Sequence, residues 1–362
     1  MRKSFIAIAI GATLTAGLMA GCSNTENTAP NAVSIPVQNP LLQASTLQYQ
    51  APDFNLIKDE HFKPALEQGI AEQYQEILAI ANNPAAPTFE NTIVAMEKSG
   101  ALLNRASSVF YNLAGSNSNP ELRKIQGEMA PKMAAHSDNI NLNPALFARI
   151  EAIYNDRTNL GLTPEAQRLV EVYHQRFIMA GAKLTDEQKV KIRALNEEQS
   201  TLTNEFSQRL LRLTKEIAIV VDSKDELVGL TDSEITSAAN DAKAAGHDGK
   251  YLINITNTTR QPILASLENR ELRQRIWEAS ANRGLTGENE TASLVSRLAQ
   301  LRAERAALLG YENWATYRLA PQMAKTPEAV YSMFGSMVPA VVANTQKEAA
   351  DIQAMITKTG GK

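Results

Sequence analysis

TDEQKVKIRALNEEQSTLTNEFSQRLLRLTKEI, residues 185–217, is the stretch whose reading decides the fold. Thr185 followed three residues later by Gln188 has the form of a capping box, which satisfies orphan backbone donors at a helix start. Ile192, Leu195, Leu202, Phe206, Leu210, Leu213 and Ile217 then recur at steps of three, four or seven. That spacing puts them on one helical stripe, with Glu197, Glu198, Asn204 and Lys215 elsewhere on the surface. An apolar stripe of this kind reads as a packing seam, so the fold is built from long packed helices.

Working outward, the same signals recur. Pro64 leads into an apolar helical stretch through Ala65, Ile70, Tyr74, Ile77 and Leu78, broken by Asn82, Asn83, Pro84 and Pro87. A second helix is read over Phe89 to Ser99, with Ile93 and Met96 inward and Gly100 after it. Thr163-Pro164-Glu165 places an N-cap and a first-turn proline at another start. Asn269 caps a helix through Leu272, Ile276 and Trp277. Leu294, Leu298, Leu301 and Leu308 mark the next, stopped by Gly310. Thr326-Pro327 begins the last, in which Pro339 is expected to kink or break the helix. Strand character is confined to Ile217–Val221 and to Tyr251–Thr256, which follows the turn Gly246-His247-Asp248-Gly249. No fixed-period repeat is found. The chain reads as mostly α, with at most a small β element.

The start of the chain reads as an address. Arg2 and Lys3 precede an apolar run from Phe5 to Ala20, too short for a comfortable membrane span, as in a signal peptide. It ends Leu18-Met19-Ala20-Gly21-Cys22, which resembles the lipobox of bacterial lipoproteins, with Cys22 as the lipidated residue. Cys22 is the only cysteine, which excludes an internal disulfide and a cysteine-based zinc site. An ordinary secretory signal with Cys22 as bystander is the alternative. Residues 1–21 are read as signal peptide and 22–50 as lipidated Cys and tether, rich in Ser, Asn, Thr, Pro and Gln. The implied location is the cell envelope, at the outer membrane facing the periplasm.

Composition narrows the function. Hydrophobic residues make up 44% and aromatics 6%, which supports an aliphatic helical core. Loss of the signal would take the net charge from −3 to −5, with 34 basic against 39 acidic groups. A mildly acidic chain without a basic stripe is a poor nucleic-acid partner. The four histidines are His61, His136, His174 and His247. A zinc-peptidase helix needs two of them four apart with Glu between, and no pair has that spacing. His61 reads as a helix-start residue. Glu171 and His174 form one Glu-x-x-His, half of a di-iron signature, but no second copy exists, so boundary pairing is the reading. Three Asn-x-Thr triplets beginning at Asn254, Asn257 and Asn289 read as noise. No nucleophile elbow or phosphate loop is present. No catalytic or metal-binding residue is assigned within the chain.

Two stretches carry a resemblance. Pro87-Thr88-Phe89-Glu90-Asn91-Thr92 is followed by Glu97 and Gly100. Residues 269–331 hold NRELRQRIWEASANRG and then LAQLRAERAALLGYENWATYRLAPQMAKTPEAVY, with Arg302, Glu304, Leu308, Leu309, Gly310 and Tyr311 among the matching positions. In that order they resemble the thimet oligopeptidase family of zinc metallopeptidases. Gly249-Lys250-Tyr251-Leu252, Asn257-Thr258-Thr259 and Pro262 incline the resemblance to its bacterial dipeptidyl carboxypeptidase branch. It runs from about Pro52 to the last residue and covers the front part of the family's sequence.

The resemblance implies a helical, two-lobed, channel-containing peptidase that takes short unfolded peptides. Its one zinc ion is held by a His-Glu-x-x-His helix and a later Glu, and none of these maps onto a position here. Residues 51–260 would then be the N-terminal helical lobe and 261–362 the start of the catalytic region. The chain reads as the front portion of a lipid-anchored zinc peptidase, binding no zinc and inactive by itself. The other reading, from a different class, is a catalytically inactive helical lipoprotein that binds peptides or a protein partner.

Overall fold

A computed structural model describes residues 39–360. The segment read as signal peptide, Cys22 and most of the segment read as tether lie outside the described residues. Asn39–Lys362 form one compact unit. Its helices in chain order are α1 (Phe62–Ala81), α2 (Ala95–Lys98), α3 (Ala101–Ser116), α4 (Pro120–Asn141), α5 (Pro144–Asp156), α6 (Pro164–Ala180) and α7 (Asp186–Glu216). There follow α8 (Asp232–Ala244), α9 (Asn257–Ser266), α10 (Arg270–Ala281), α11 (Ala292–Leu308), α12 (Trp314–Leu319) and α13 (Pro327–Lys358). Two short strands, β1 (Ile219–Val221) and β2 (Tyr251–Ile253), pair antiparallel with Val220 opposite Leu252. The mostly-α reading holds, and among the described residues the β element is this one two-stranded sheet.

The caps sit where the residues put them. Thr163 Oγ1 accepts from Ala166 N, and Thr185 and Gln188 form the reciprocal box that starts α7. Asn269 accepts from Leu272 N at the start of α10. Gly310 follows α11 with φ of 80°, a left-handed conformation that glycine adopts without strain. Residues 101–156, in which the sequence marked no element, hold α3, α4 and α5. Asn119 and Asn143 cap α4 and α5, each with proline at the first helical position.

Helix α1 serves two cores. Phe62, Ala65 and Leu66 at its start pack with Leu103 and Phe110 of α3 and Leu122, Ile125 and Met129 of α4. Ile77 and Ile80 at its end pack with Ile93, Met96, Leu146, Ile150, Val170 and Phe177. The inward placement expected for Ile93 and Met96 is therefore met. A third core joins β1 and β2 to α10 through Val221, Ile253, Leu272 and Ile276. Fully burying side chains of this size stabilises by about 1.5–3 kcal/mol each.

Two features depart from the sequence reading. The stripe of α7 is covered mainly at its ends: Ile192 and Leu213 are buried, Leu195, Leu202 and Phe206 are half-buried, and Leu210 is 37% exposed. Its partners α4 and α11 pack along the helix without sealing the stripe. Pro339, expected to kink or break the last helix, lies inside an unbroken α13. Residues 331–350 are all exposed, so the backbone carbonyl that proline leaves unpartnered can turn to water. Among the described residues no helix is long and apolar enough to cross a membrane.

Candidate functional site: a polar trough beside helices α4 and α7

The motif at 87–92 turns out to be structural. It forms a π-helical turn, Phe89–Val94, capped reciprocally by Thr88 and Asn91. Arg149 of α5, buried among these elements, locks it. Its Nη1 donates to the carbonyls of Asn83 (2.8 Å) and Ala85 (3.0 Å). Its Nη2 donates to Asn91 Oδ1 (2.8 Å) and its Nε to Thr92 Oγ1 (3.2 Å). Glu97 accepts a hydrogen bond from the Tyr173 hydroxyl, and burial pushes that phenol well above its ordinary range. Gly100 has φ of 74°, and its N donates to Glu76 Oε2 at 2.7 Å. Thr88, Asn91, Thr92, Glu97 and Gly100 thus hold a turn or a helix pair.

The histidines stay apart. His61 Nδ1 accepts from Lys58 N (3.1 Å), the helix-start role read from sequence. His136 Nε2 meets Gln73 Oε1 at 2.7 Å, and burial lowers its pKa. His174 is stacked on Tyr154, with ring centroids 3.7 Å apart. Glu171 instead faces Arg157 and Arg168, so the Glu-x-x-His pair diverges. His247 is exposed. Among the described residues no three His, Cys, Asp or Glu side chains could share a metal ion. The residues present do not fit a zinc site.

What the helices do build is a polar trough of about 580 Å³. Helices α4 and α7 run antiparallel beside it, since Gln126 meets Gln208 (3.4 Å) and Asp138 meets Asn196 (2.7 Å). Helix α7 contributes Asn196, Gln199, Ser200, Thr203, Asn204 and Ser207, and α4 contributes Gln126, Ser137, Asp138 and Asn141 beside Ala130, Met133 and Ala134. Arg305 of α11 enters from the side. Its Nη2 donates to the Tyr317 hydroxyl (3.3 Å), which donates in turn to the Met179 carbonyl (3.1 Å). Burial raises the Asp138 pKa, while the Asn196 hydrogen bond and the charges of Arg193 and Arg305 oppose it. Adjoining hollows of about 380 and 340 Å³ share Arg176 with each other, and each shares residues with the trough. This lining can hold a ligand by hydrogen bonds and shape.

Residues 263–362 match peptidase family M3. Residues 263–362 belong to that family. Over 319 residues the chain is 44% identical to a dipeptidyl carboxypeptidase of Salmonella typhimurium, covering 88% of this chain and 47% of the relative. Identity to the Escherichia coli protein of the same name is 43% over 324 residues, 89% of this chain and 48% of the relative. An oligopeptidase A of Haemophilus influenzae is 25% identical over 330 residues, 90% of this chain and 48% of that protein. The chain spans about half the length of the curated relatives it matches. The resemblance to the thimet oligopeptidase family, carried by residues 87–100 and 269–331, is thus shown.

Within the M3 segment, Arg302 is exposed and lies over the Trp314 ring, with its guanidinium carbon 5.7 Å from the ring centroid. Glu304 pairs with Arg297 at 2.8 Å. Sequence reasoning missed Arg149, whose role rests on contacts 57 to 66 residues away. It also missed the trough, although Asn196, Ser200, Thr203, Asn204 and Ser207 follow a helical period that could have marked a polar face.

Proposed function

We propose that this chain works in peptide hydrolysis, as part of a zinc metallopeptidase that releases dipeptides from the C-terminus of short unfolded peptides. The observation that carries this reading is the 44% identity to a dipeptidyl carboxypeptidase across 88% of the chain. In this reading residues 39–360 supply a substrate-facing helical wall, with the trough beside α4 and α7 open to the peptide. When bound, zinc would polarise the scissile carbonyl and activate water. The 362 residues contain no His-Glu-x-x-His, so the chain by itself is proposed to bind no zinc tightly and to leave peptides intact.

A chimera tests the reading. Residues 39–362 are joined to the remaining half of the Escherichia coli dipeptidyl carboxypeptidase. The folded, zinc-loaded chimera should release C-terminal dipeptides from N-blocked peptides, and a chelator should stop it. Single-residue or internal cleavage sinks the dipeptidyl assignment, and a folded chimera without hydrolysis sinks the whole reading. Chelator-sensitive dipeptide release by the unfused chain would overturn its proposed inactivity.

The same reading places the protein in the cell envelope, exported and anchored through lipid on Cys22, on the outer membrane facing the periplasm. Its support is the charged start, the apolar run from Phe5 to Ala20 and the small residues before Cys22. Metabolic labelling with a clickable fatty acid checks it, and a Cys22→Ser protein that still takes label removes it.

A further inference from the structure

The described unit begins with a strip of chain that carries almost no charge. From Asn39 to Ile57 the one charged side chain is Asp53. The start of the strip is stapled to the fold. Arg105 of α3 donates to the carbonyls of Leu41 and Leu42, at 3.1 Å each, and Leu41 is buried. Beyond the staple the strip turns its large apolar groups to water. Leu47, Phe54 and Leu56 are 47%, 56% and 59% exposed, and Tyr49 is 91% exposed. Leu47 and Leu56 line one hollow of about 190 Å³ with Gln50 and Asp53, the chain neighbours of Tyr49 and Phe54. The four side chains therefore form one patch.

The backbone is held there at a cost. Tyr49 and Gln50 have φ of 58° and 56°, left-handed values that non-glycine residues rarely adopt. Strain of this kind persists only where the structure over-determines it, and it gathers at ligand clamps and switches. Here it presents an aromatic ring to solvent.

Composition and position point to one occupant. Tyr and Phe beside Leu are the side chains that settle at the headgroup level of a bilayer. The charge of Asp53 is engaged locally, since its Oδ1 accepts from Asn55 N (3.1 Å) and Nδ2 (3.2 Å). The strip also starts where the chain arrives from Cys22, seventeen residues earlier. That length of chain spans at most about 60 Å, so lipid on Cys22 would keep this edge of the fold near the membrane. Resting on the lipid-anchor reading above, we propose that Leu47, Tyr49, Phe54 and Leu56 form a second membrane contact, seated among lipid headgroups. The lipid holds one point of the chain, and the patch sets which face of the fold meets the bilayer.

Thiol accessibility tests this on the lipidated full chain in vesicles of phosphatidylethanolamine and phosphatidylglycerol. Tyr49→Cys, Phe54→Cys and, as a control on α8, Ser233→Cys are each reacted with a water-soluble maleimide. All three positions are exposed, so the melting temperature should hold. A protease site placed within residues 23–38 then frees the same protein, and its rates without vesicles are the baseline. Seating should slow positions 49 and 54 about tenfold on vesicles and leave position 233 within about twofold of baseline. Unslowed reaction at 49 and 54, with lipid found on Cys22 by mass, overturns the contact and leaves the anchor standing. Absence of lipid removes both. Slowing shared by position 233 overturns the contact as well, since the whole fold is then shielded. Slow reaction at 49 and 54 that persists in the freed protein rules out the membrane as occupant, because a protein surface then covers the patch.

Discussion

Arg149 Nη2 donates to Asn91 Oδ1 at 2.8 Å, and so ties the turn at 87–92 to a helix 58 residues further along the chain. The guanidinium fork reaches four acceptors at once, two carbonyls and two side-chain oxygens. Replacing it leaves buried acceptors bare. Arg149→Met should destabilise by about 2–4 kcal/mol in urea unfolding. Arg149→Lys should recover little of this, because an ammonium cannot copy the planar fork. A loss below about 0.5 kcal/mol, the ordinary surface range, rules the clamp out.

Helices α1 and α3 touch where Gly69 faces Leu103. A Cβ on Gly69 would stand 2.8 Å from the Leu103 backbone. Alanine there gains about 1 kcal/mol of helix propensity, but must push two helices apart, at about 1–3 kcal/mol. The net for Gly69→Ala should be a loss, with a lowered thermal midpoint. A raised midpoint means that the two helices separate freely.

His174 is buried against Tyr154 and Phe147. Burial lowers its pKa, and Lys183 and Arg157 add to the effect against Glu151. A folded-state pKa below the unfolded value means that the unfolded chain takes the proton first. Stability from this group is thus complete above about pH 6.5, the unperturbed histidine value, and falls as the pH drops below it. His174→Phe keeps an aromatic ring and should flatten the slope of unfolding free energy between about pH 6.5 and 5, the range in which histidine titrates. His136, also lowered by burial, will leave a remnant of slope. An unchanged slope in the variant excludes His174 as its source.

Helix α13 carries Phe334, Met337, Val338 and Val341 at 45–57% exposure. Apolar surface of that extent promotes association. The full chain should sediment as oligomers at micromolar concentration and bind a hydrophobic dye. A Phe334→Lys, Val338→Lys, Val341→Lys triple variant should shift it towards monomer. A monomeric parent chain contradicts this.

Local chemistry made much of the fold legible. Thr163, Thr185 and Asn269 announce their helices because a cap acts over three residues. Ile253 to Thr256 alternates apolar with polar, and Ile253 and Ile255 are the buried pair. The segment 101–156 went unmarked although its signals were as local: Asn119-Pro120 and Asn143-Pro144 cap their helices as Thr163-Pro164 does, and Leu146, Ile150 and Ile153 keep a helical period. Pro339 misled because the rule against internal proline weighs a buried carbonyl heavily and an exposed one lightly. The trough was illegible for another reason. Asn196, Asn204 and Arg305 lie on two helices whose meeting is set by packing, and nothing near Asn204 in sequence names Arg305. Their polar period along α7 was readable, but its partner was not.

Helix α7 is fastened by Ile192 and Leu213, about 32 Å apart at the usual helical rise, with no fully buried side chain between them. Mechanically it is a bowstring pinned at both ends. A peptide lying along the span would damp its flexing, so deuterium exchange of backbone amides from Asn196 to Ser207 would slow, while exchange at the ends, already quiet, would not change. Occupancy of the wall would be written into the stiffness of one helix.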